Sequence, residues 1–397
     1  MINISNKISR FHPALKLSYL TIIFFIGILL SDGSYFDQTI FLQTVVLLLV
    51  VLIFFSSNIV VSFLCSSIIV LIIGISYPLI ITQPLSLNGG WIIDKLASLR
   101  VLYYDRITQL IPSPYGDLAT GIVVGAKGTF SKELKDIFIQ TGIIHITAIS
   151  GFNITIIIKI FADFLKRFGR VPSFWVGTIA IMAFTIIVGG QASIVRASIM
   201  GWLFLLARFV YRLPYIYTAL FFSALLMVIQ DNQVFSDIGF LLSFSSMLGL
   251  IYISPLLKKL FYKSLNKIPE IVKTILVETI SAQIAVTPLI IHYFGRVSLI
   301  SPIVNLLVLP IIPLSMLLSF LTFVISLISI EISIVFGIPL LLVSKYTVNV
   351  ATFFSRFQGA SINVDKINWV YTSIFYIAIF LLVYYLRKKT NVEKKFI

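Results

Sequence analysis

The amino-acid sequence predicts an all-α polytopic membrane protein: a bundle of about 12 transmembrane helices, some of them broken, with amphipathic helices at the outer and inner faces. Three observations predict this class. The 397 residues are 59% hydrophobic and 11% charged, whereas a soluble domain has about half and about a quarter. The mean hydropathy is +1.05. Apolar runs of roughly 20 residues, the length that crosses a bilayer, follow one another along the chain.

The predicted spans cover most of the chain, and their bounds are 17–31, 39–56, 58–82, 141–162, 173–190, 193–210, 215–230, 238–254, 273–292, 299–328, 332–354 and 368–386. The span 299–328 contains three prolines, so we expect it to be broken or partly re-entrant. The long segment 83–140 does not span. It begins with a predicted amphipathic helix, 91–110, at the outer interface, and Ser131 is the predicted N-cap of a later helix. A second amphipathic piece, 256–270, is expected at the inner face.

The distribution of charge orients these spans. The sequence has 30 Lys and Arg against 15 Asp and Glu, a net charge of +15. With both termini cytoplasmic, the inner segments hold about 19 basic and three acidic residues and the outer ones about 9 and 10, as the positive-inside rule requires. The excess charge is therefore explained by topology in the cytoplasmic membrane, and it is not by itself a sign of nucleic-acid binding.

Polar side chains inside the spans are the candidate functional residues, because hydrocarbon makes them costly. The first group lies between His145 and Asn153, where Ser150 and Gly151 predict an unwound point that must face protein or water. A second group contains Gln191 and the permanent cation Arg196, which could snorkel outward, pair with Glu278 or line a water-filled path.

A third group lies on the span 273–292. Gln283 and Thr287 share a helix face, and Pro288 frees a backbone carbonyl one turn earlier. Asn305 precedes two prolines in the next span, which is another site for irregular backbone.

An intramembrane serine hydrolase is an alternative that these residues raise. Ser150 follows His145 by five positions, which places the two side chains roughly 140° apart on a helix. A helix break packed within the bundle is therefore favoured over a catalytic pair. With one Cys and three His, the sequence offers no set of metal ligands, and we expect no metal, no cofactor and no enzymatic activity.

Taken in order, these groups resemble the transmembrane competence domain of the ComEC family of DNA-uptake channels. The resemblance rests on the segment 142–154, on Arg196-Ala197, on 239–244 with Ser243, on 282–288, on Phe294-Gly295, and on 305–310. Asn153 stands where a histidine is more usual in the family. The exterior OB-like domain and the metallo-β-lactamase-like nuclease of full-length members have no counterpart in these 397 residues.

The resemblance implies a domain organisation and a function. The expected segments are a three-helix transmembrane part (1–90), an exterior helix and loop (91–140), the channel core (141–330), and C-terminal helices with a basic cytoplasmic tail (331–397). Single-stranded DNA is the implied substrate, with the lipid bilayer around the chain. A separate nuclease, an exterior DNA receptor and a cytoplasmic ATPase are the implied partners. The implied DNA path is lined by His145, Ser150, Gly151, Asn153, Gln191, Arg196, Ser243, Gln283, Thr287, Pro288 and Asn305.

The same residues also allow other functional hypotheses. A transporter or flippase for a small molecule or a lipid-linked substrate would place the same kinds of polar groups in its spans. Whether a pore lies within one chain or between protomers is also open, as is the oligomeric state.

Overall fold

A computed structural model describes residues 13–30, 59–80, 90–125, 130–147, 151, 153–154, 169–261 and 268–390. Most of these residues are helical. The helices are α1 (Pro13–Leu30), α2 (Ile59–Ile80), α3 (Trp91–Leu110), α4 (Tyr115–Val124), α5 (Lys132–Gln140), α6 (Ile144–Thr147), α7 (Arg170–Val188), α8 (Ala192–Phe209), α9 (Ile216–Gln230), α10 (Ile238–Tyr252), α11 (Ser254–Leu260), α12 (Glu270–Phe294), α13 (Ser301–Val308), α14 (Ile312–Ser326), α15 (Ile330–Ser355) and α16 (Trp369–Thr390). Short 3₁₀ turns occur at Asn232–Ser236 and Leu309–Ile311, and strands β1 (Arg296–Ser298) and β2 (Ser361–Asn363) form an antiparallel ribbon.

Seven helices in the described residues are long and apolar enough to cross a membrane, and each matches a predicted span within a few residues. They are Arg170–Val188, Ala192–Phe209, Ile238–Leu260, Glu270–Phe294, Ser301–Ser326, Ile330–Ser355 and Trp369–Lys389. The multi-pass membrane class is thus supported, and the total of about 12 stays a prediction. The spans 17–31, 39–56, 58–82 and 141–162 lie wholly or partly outside the described residues, and α9 has only 15 residues, fewer than the roughly 20 that a span needs.

The chain forms two compact units. Unit 1 comprises Met1–Asn88, Phe161–Ile181 and Val195–Asp237, and unit 2 comprises Gly89–Ile160, Met182–Ile194 and Ile238–Ile397. In unit 1, α1 and α2 approach closely because Gly27 and Gly74 face each other's backbone. The Tyr77 hydroxyl of α2 donates to the carbonyl of Ile229 at the end of α9, which joins these three helices.

The core of unit 2 surrounds the predicted amphipathic helix. α3 has its predicted bounds, and its first residue, Trp91, is 71% exposed. Its apolar face is covered by protein, since Tyr103 and Ile107 are buried in a cluster with residues of α4, α14 and α15. The Tyr103 hydroxyl lies 2.6 Å from the Ser319 hydroxyl of α14. Burial raises the pKa of Tyr103, so this phenol stays protonated and available as a hydrogen-bond donor.

The predicted break in the span 299–328 is confirmed. α13 ends at Val308, the 3₁₀ turn Leu309–Ile311 contains Pro310, and α14 begins with Pro313 in its first turn. Proline removes a backbone donor and fixes φ, which is compatible with a helix start and not with a helix interior. The prolines therefore interrupt the α-helix with a 3₁₀ segment inside one apolar stretch, Ser301–Ser326, that is long enough to cross a membrane.

The predicted inner-face piece, 256–270, is described only at its ends. α11 ends at Leu260, residues 262–267 lie outside the described part, and α12 begins at Glu270. At this end the Lys273 ammonium donates to the Glu270 carboxylate at 2.9 Å. The basic tail after residue 390 also lies outside the described residues.

Helices α10 and α12 form a close pair in unit 2. A Cβ atom at Gly249 would lie 2.5 Å from the Ser281 carbonyl oxygen and 2.6 Å from the Ala285 Cβ. Only hydrogen fits at this position, so the two backbones touch there. Contact of this kind, through glycine and other small residues, is a main source of helix association in membranes.

This packing predicts that Gly249→Ala destabilises the protein, by about 1–3 kcal/mol because the added methyl group meets backbone that cannot move aside. Gly337→Ala is the matched control, because a Cβ at Gly337 of α15 would meet no atom within 4 Å. Thermal unfolding of the two purified variants in one detergent measures the effect. We expect a lower midpoint for Gly249→Ala alone, and equal midpoints would contradict the close approach of α10 and α12.

Candidate functional site

The segment that follows α5 carries the first group of predicted residues. Ser131 caps α5 as predicted, its hydroxyl accepting from the Leu134 amide at 3.3 Å. α5 ends in a turn in which the Ile143 amide donates to the Phe138 carbonyl at 3.0 Å. Gly142 takes φ +74° in this turn, a left-handed conformation that suits glycine at the end of a helix. The chain therefore leaves α5 sharply and enters the short helix α6.

Gly142 also lies against the start of α13. A Cβ atom there would be 2.5 Å from the Ser301 Cβ and 3.2 Å from the Ser298 Cβ. Two independent reasons thus require glycine at this position: the left-handed backbone and the close approach of two serines. The exposed ring of His145 folds back, with its Nδ1 2.9 Å from the Gly142 carbonyl oxygen.

The two serines are held in turn by Gln283 and Asn305. The Gln283 side-chain amide on α12 donates to the Ser298 carbonyl, and the Asn305 side-chain amide donates to the Ser301 hydroxyl at 3.1 Å. We call Gly142, Gln283, Ser298, Ser301 and Asn305 the polar junction. It joins the turn after α5, helix α12, strand β1 and helix α13 within unit 2.

Residues next to Gln283 support its position on α12. The Thr287 hydroxyl donates to the Gln283 carbonyl at 2.6 Å, which places the two on one face as predicted. Pro288 is buried inside α12 and cannot donate to the carbonyl one turn before it. The helix nevertheless continues to Phe294, so Pro288 does not end it.

Two polar atoms in the junction are buried and lack a hydrogen bond in the part of the chain that the structure describes. These are the Asn305 side-chain oxygen and the Ser298 hydroxyl, and both residues are at most 9% exposed. Buried polar atoms nearly always have a partner, so atoms of this kind are suited to hold water or a passing polar ligand. The junction can therefore offer hydrogen bonds without offering a charge.

Asn153 anchors the segment after α6 to α4. Its side-chain amide donates to the Ile122 carbonyl at 2.7 Å, and the residue is 2% exposed. Gly121 of α4 lies so close that a Cβ there would be 2.7 Å from the Thr147 carbonyl oxygen. Gly151 lies in helical conformation between these contacts, while Ser150 lies outside the described residues. A pairing of Ser150 with His145 therefore stays untested.

The remaining predicted residues are not members of the junction. Gln191 lies in the turn between α7 and α8, where its carbonyl accepts from the Ile194 amide at 2.8 Å. Arg196 is buried on α8 and belongs to unit 1. Ser243 is partly buried on α10. The structure thus brings together Gln283, Thr287 and Asn305 with the turn at Gly142.

Ser298 and Ser301 are the site residues that the sequence analysis did not identify. Serine is common in membrane spans and costs little free energy there, so its presence alone did not mark either residue as functional. A positional signal existed, because Ser301 precedes Pro302 at the start of a helix and Ser298 follows the glycine that ends α12. Among the described residues, no group of three or more His, Cys, Asp and Glu could hold a metal.

The part of the chain that matches known proteins includes this site. The family model described as Competence protein matches residues 122–389. ComE operon protein 3 of Bacillus subtilis (strain 168) is 22% identical over 218 residues, which are 54% of this chain and 27% of that relative; the alignment thus spans about a quarter of the relative's length. No solved structure matches the chain. Because the family model spans more than half of the chain and includes the whole polar junction, the chain belongs to the competence protein family, as its resemblance to ComEC indicated.

Proposed function

We propose that this chain acts in DNA uptake during competence, as a channel through which a single strand passes inward across the membrane. The observation that carries the proposal is the polar junction, because three of the segments that carry the family resemblance meet there, at Gly142, Gln283 and Asn305. Four segments of the chain come together there, and in the predicted topology they lie toward the outer ends of apolar spans. Irregular backbone in a membrane protein is tolerated where it is buried in protein or lines a water-filled cavity.

The chemistry of the junction suits a strand that must move. A polyanion in low dielectric would be held tightly by fixed cations and repelled by carboxylates, and the five residues of the junction include neither. Amide and hydroxyl groups exchange hydrogen bonds with bases, sugars and water at modest net cost. Conduction requires binding that permits both entry and exit, and neutral groups meet that requirement.

Cationic and aromatic groups at the ends of the spans would supply the attraction that the junction lacks. Single strands bind to basic grooves with exposed aromatic rings. At the end of α12, the Arg296 guanidinium donates to the Asn363 side chain at 2.8 Å, and the ring centroids of His292 and Trp369 are 4.3 Å apart. Trp369 is 50% exposed. The predicted topology places this group on the outer face, where a strand would enter.

The driving force would come from other proteins. The sequence contains no Walker A pattern, because its only similar stretch, 125–132, lacks the glycine-lysine spacing that cradles a nucleotide. A cytoplasmic ATPase, an exterior DNA receptor and a separate nuclease are the partners that this function implies. In this proposal the chain itself carries out no catalysis, and both of its termini are cytoplasmic.

Substitutions in the junction test its role. We expect Gln283→Ala and Asn305→Ala to lower transformation frequency about five- to hundredfold, the effect of removing one buried polar contact from the path. The matched controls are Ile284→Ala and Leu307→Ala, neighbours on the same helices that are 38% and 37% exposed. Membrane abundance is measured by immunoblot for all four. Normal transformation by both amide variants at normal abundance would show that the junction is structural only.

Deletion of the gene tests the function as a whole. We expect the deleted strain to lose internalisation of labelled DNA, and the wild-type gene to restore it. Arg196→Ala should fail to restore it, because the family resemblance implies a role in the DNA path for this cation, which is buried on α8. Lys388→Ala, which removes an exposed charge at the predicted cytoplasmic end of α16, should restore it fully. Uptake that persists after deletion would reject the DNA-uptake proposal and favour a transporter of another substrate.

A further inference from the structure

One end of unit 1 carries a cluster of arginines. Arg170 is the first residue of α7, Arg208 lies in the last turn of α8, and Arg212 follows three residues after that helix ends. The rings of Phe174 and Phe209 are stacked with centroids 4.7 Å apart, so the start of α7 and the end of α8 lie side by side. All three arginine side chains are exposed.

No acidic residue stands between these three arginines along the chain. There is no aspartate or glutamate from residue 164 to residue 230, and the described acids of unit 1, Asp231 and Asp237, follow the far end of α9. Among the described residues, the start of α7 and the end of α8 therefore carry arginines and no acid.

Tyr211 organises the cluster through an unusual backbone conformation. After α8, the Arg212 amide donates to the Ala207 carbonyl at 2.8 Å, and Tyr211 takes φ +58°. This is the Schellman arrangement, in which the left-handed position normally belongs to glycine. A bulky residue is strained there, and Tyr211 is the sole non-glycine residue with positive φ in the described part of the chain.

The strained position puts the tyrosine ring beneath an arginine. The Arg170 guanidinium carbon lies 3.3 Å from the centroid of the Tyr211 ring, a close cation–π contact that joins α7 to the end of α8. Tyr211 itself is 76% exposed. The ring therefore fixes the plane of one guanidinium while Arg208 and Arg212 lie within three residues of it on the same turn.

Such an arrangement fits a phosphate group at a membrane surface. Guanidinium groups bind phosphate through paired hydrogen bonds and lose little freedom when they are already oriented. Both helices are apolar enough to span, so their ends lie at the interface, where Trp and Tyr are enriched. Trp175, one turn into α7, is 57% exposed. Membrane proteins direct their basic face toward the cytoplasmic leaflet, and anionic lipids give that leaflet a negative surface charge.

We propose that Arg170, Arg208 and Arg212, arranged around Tyr211, bind the phosphate of an anionic phospholipid head group in the leaflet that this end of unit 1 faces. The arginines supply the charge and Tyr211 sets their geometry. The bound lipid neutralises a cluster that has no acid among the described residues of α7 and α8. This site is independent of the proposed DNA path, because it contains none of the residues of that path.

Lipid binding to the purified full-length chain tests the proposal. Native mass spectrometry in detergent counts retained phosphatidylglycerol, with phosphatidylcholine as the zwitterionic comparison. We expect phosphatidylglycerol to be retained in preference, and Arg170→Gln/Arg208→Gln/Arg212→Gln to weaken its binding by about fivefold for each charge removed. The matched control is Lys258→Gln/Lys259→Gln/Lys389→Gln, which removes the same amount of charge from the ends of other helices. In this control set, Lys258 forms an ion pair with Glu278.

A second variant distinguishes loss of lipid binding from loss of stability. Tyr211→Gly keeps the left-handed turn and relieves its strain, so thermal stability should stay equal or rise while phosphatidylglycerol binding falls. Equal loss in the two triple variants would show bulk attraction only and overturn the site. The proposal would also be rejected by equal retention of the two lipids, or by displacement of phosphatidylglycerol by inorganic phosphate or by a single-stranded oligonucleotide at equal concentration.

Discussion

The hydrogen bond from the Gln283 amide to the Ser298 carbonyl is the contact on which the interior of unit 2 depends. Between α12 and α13 the chain leaves helical conformation, so its carbonyls have no partner within a helix. In hydrocarbon such a group is costly unless protein satisfies it. Gln283 does so from the adjacent helix, and with Ser298 held in place, Ser301 can face Gly142 at the end of α5. The turn after α5 and the start of α13 are thereby fixed against one another.

Small residues set the distances around this contact. Between helices in a membrane, water is absent from both the separated and the packed state, so close packing replaces the hydrophobic effect as the source of association. Gly249 lets α10 touch α12 at Ser281, and Gly121 lets α4 touch the carbonyl of Thr147. Gly142 adds a conformational requirement to the steric one. A side chain at Gly249 would separate α10 from α12, one at Gly121 would separate α4 from α6, and one at Gly142 would separate the turn after α5 from α13.

Charged side chains are placed differently from the small and neutral residues of the junction. The five residues of the junction are uncharged, and arginines and lysines occur where spans end, as at Arg170, Lys273 and Arg296, with Arg196 as a buried exception on α8. Such a separation would suit the proposed channel, which would have to attract an anionic polymer without trapping it. It also gives the faces a second use, because the same positive charge binds the head groups of the surrounding lipid. The arginine cluster of unit 1 and the neutral junction of unit 2 are thus two consequences of one membrane constraint.

Local chemistry in the sequence was sufficient to predict the helices. Hydropathy predicted seven spans and the bounds of α3, capping chemistry predicted the role of Ser131, and proline geometry predicted the break at Pro310. These effects act over a few residues. The residues that carry the family resemblance could also be identified, since polar groups in apolar runs are rare. The tertiary structure alone placed Ser298 and Ser301 between them and left the Asn305 oxygen buried without a partner among the described residues. These features depend on contacts between segments far apart in the chain, and no local pattern encodes which distant backbone a side chain will meet.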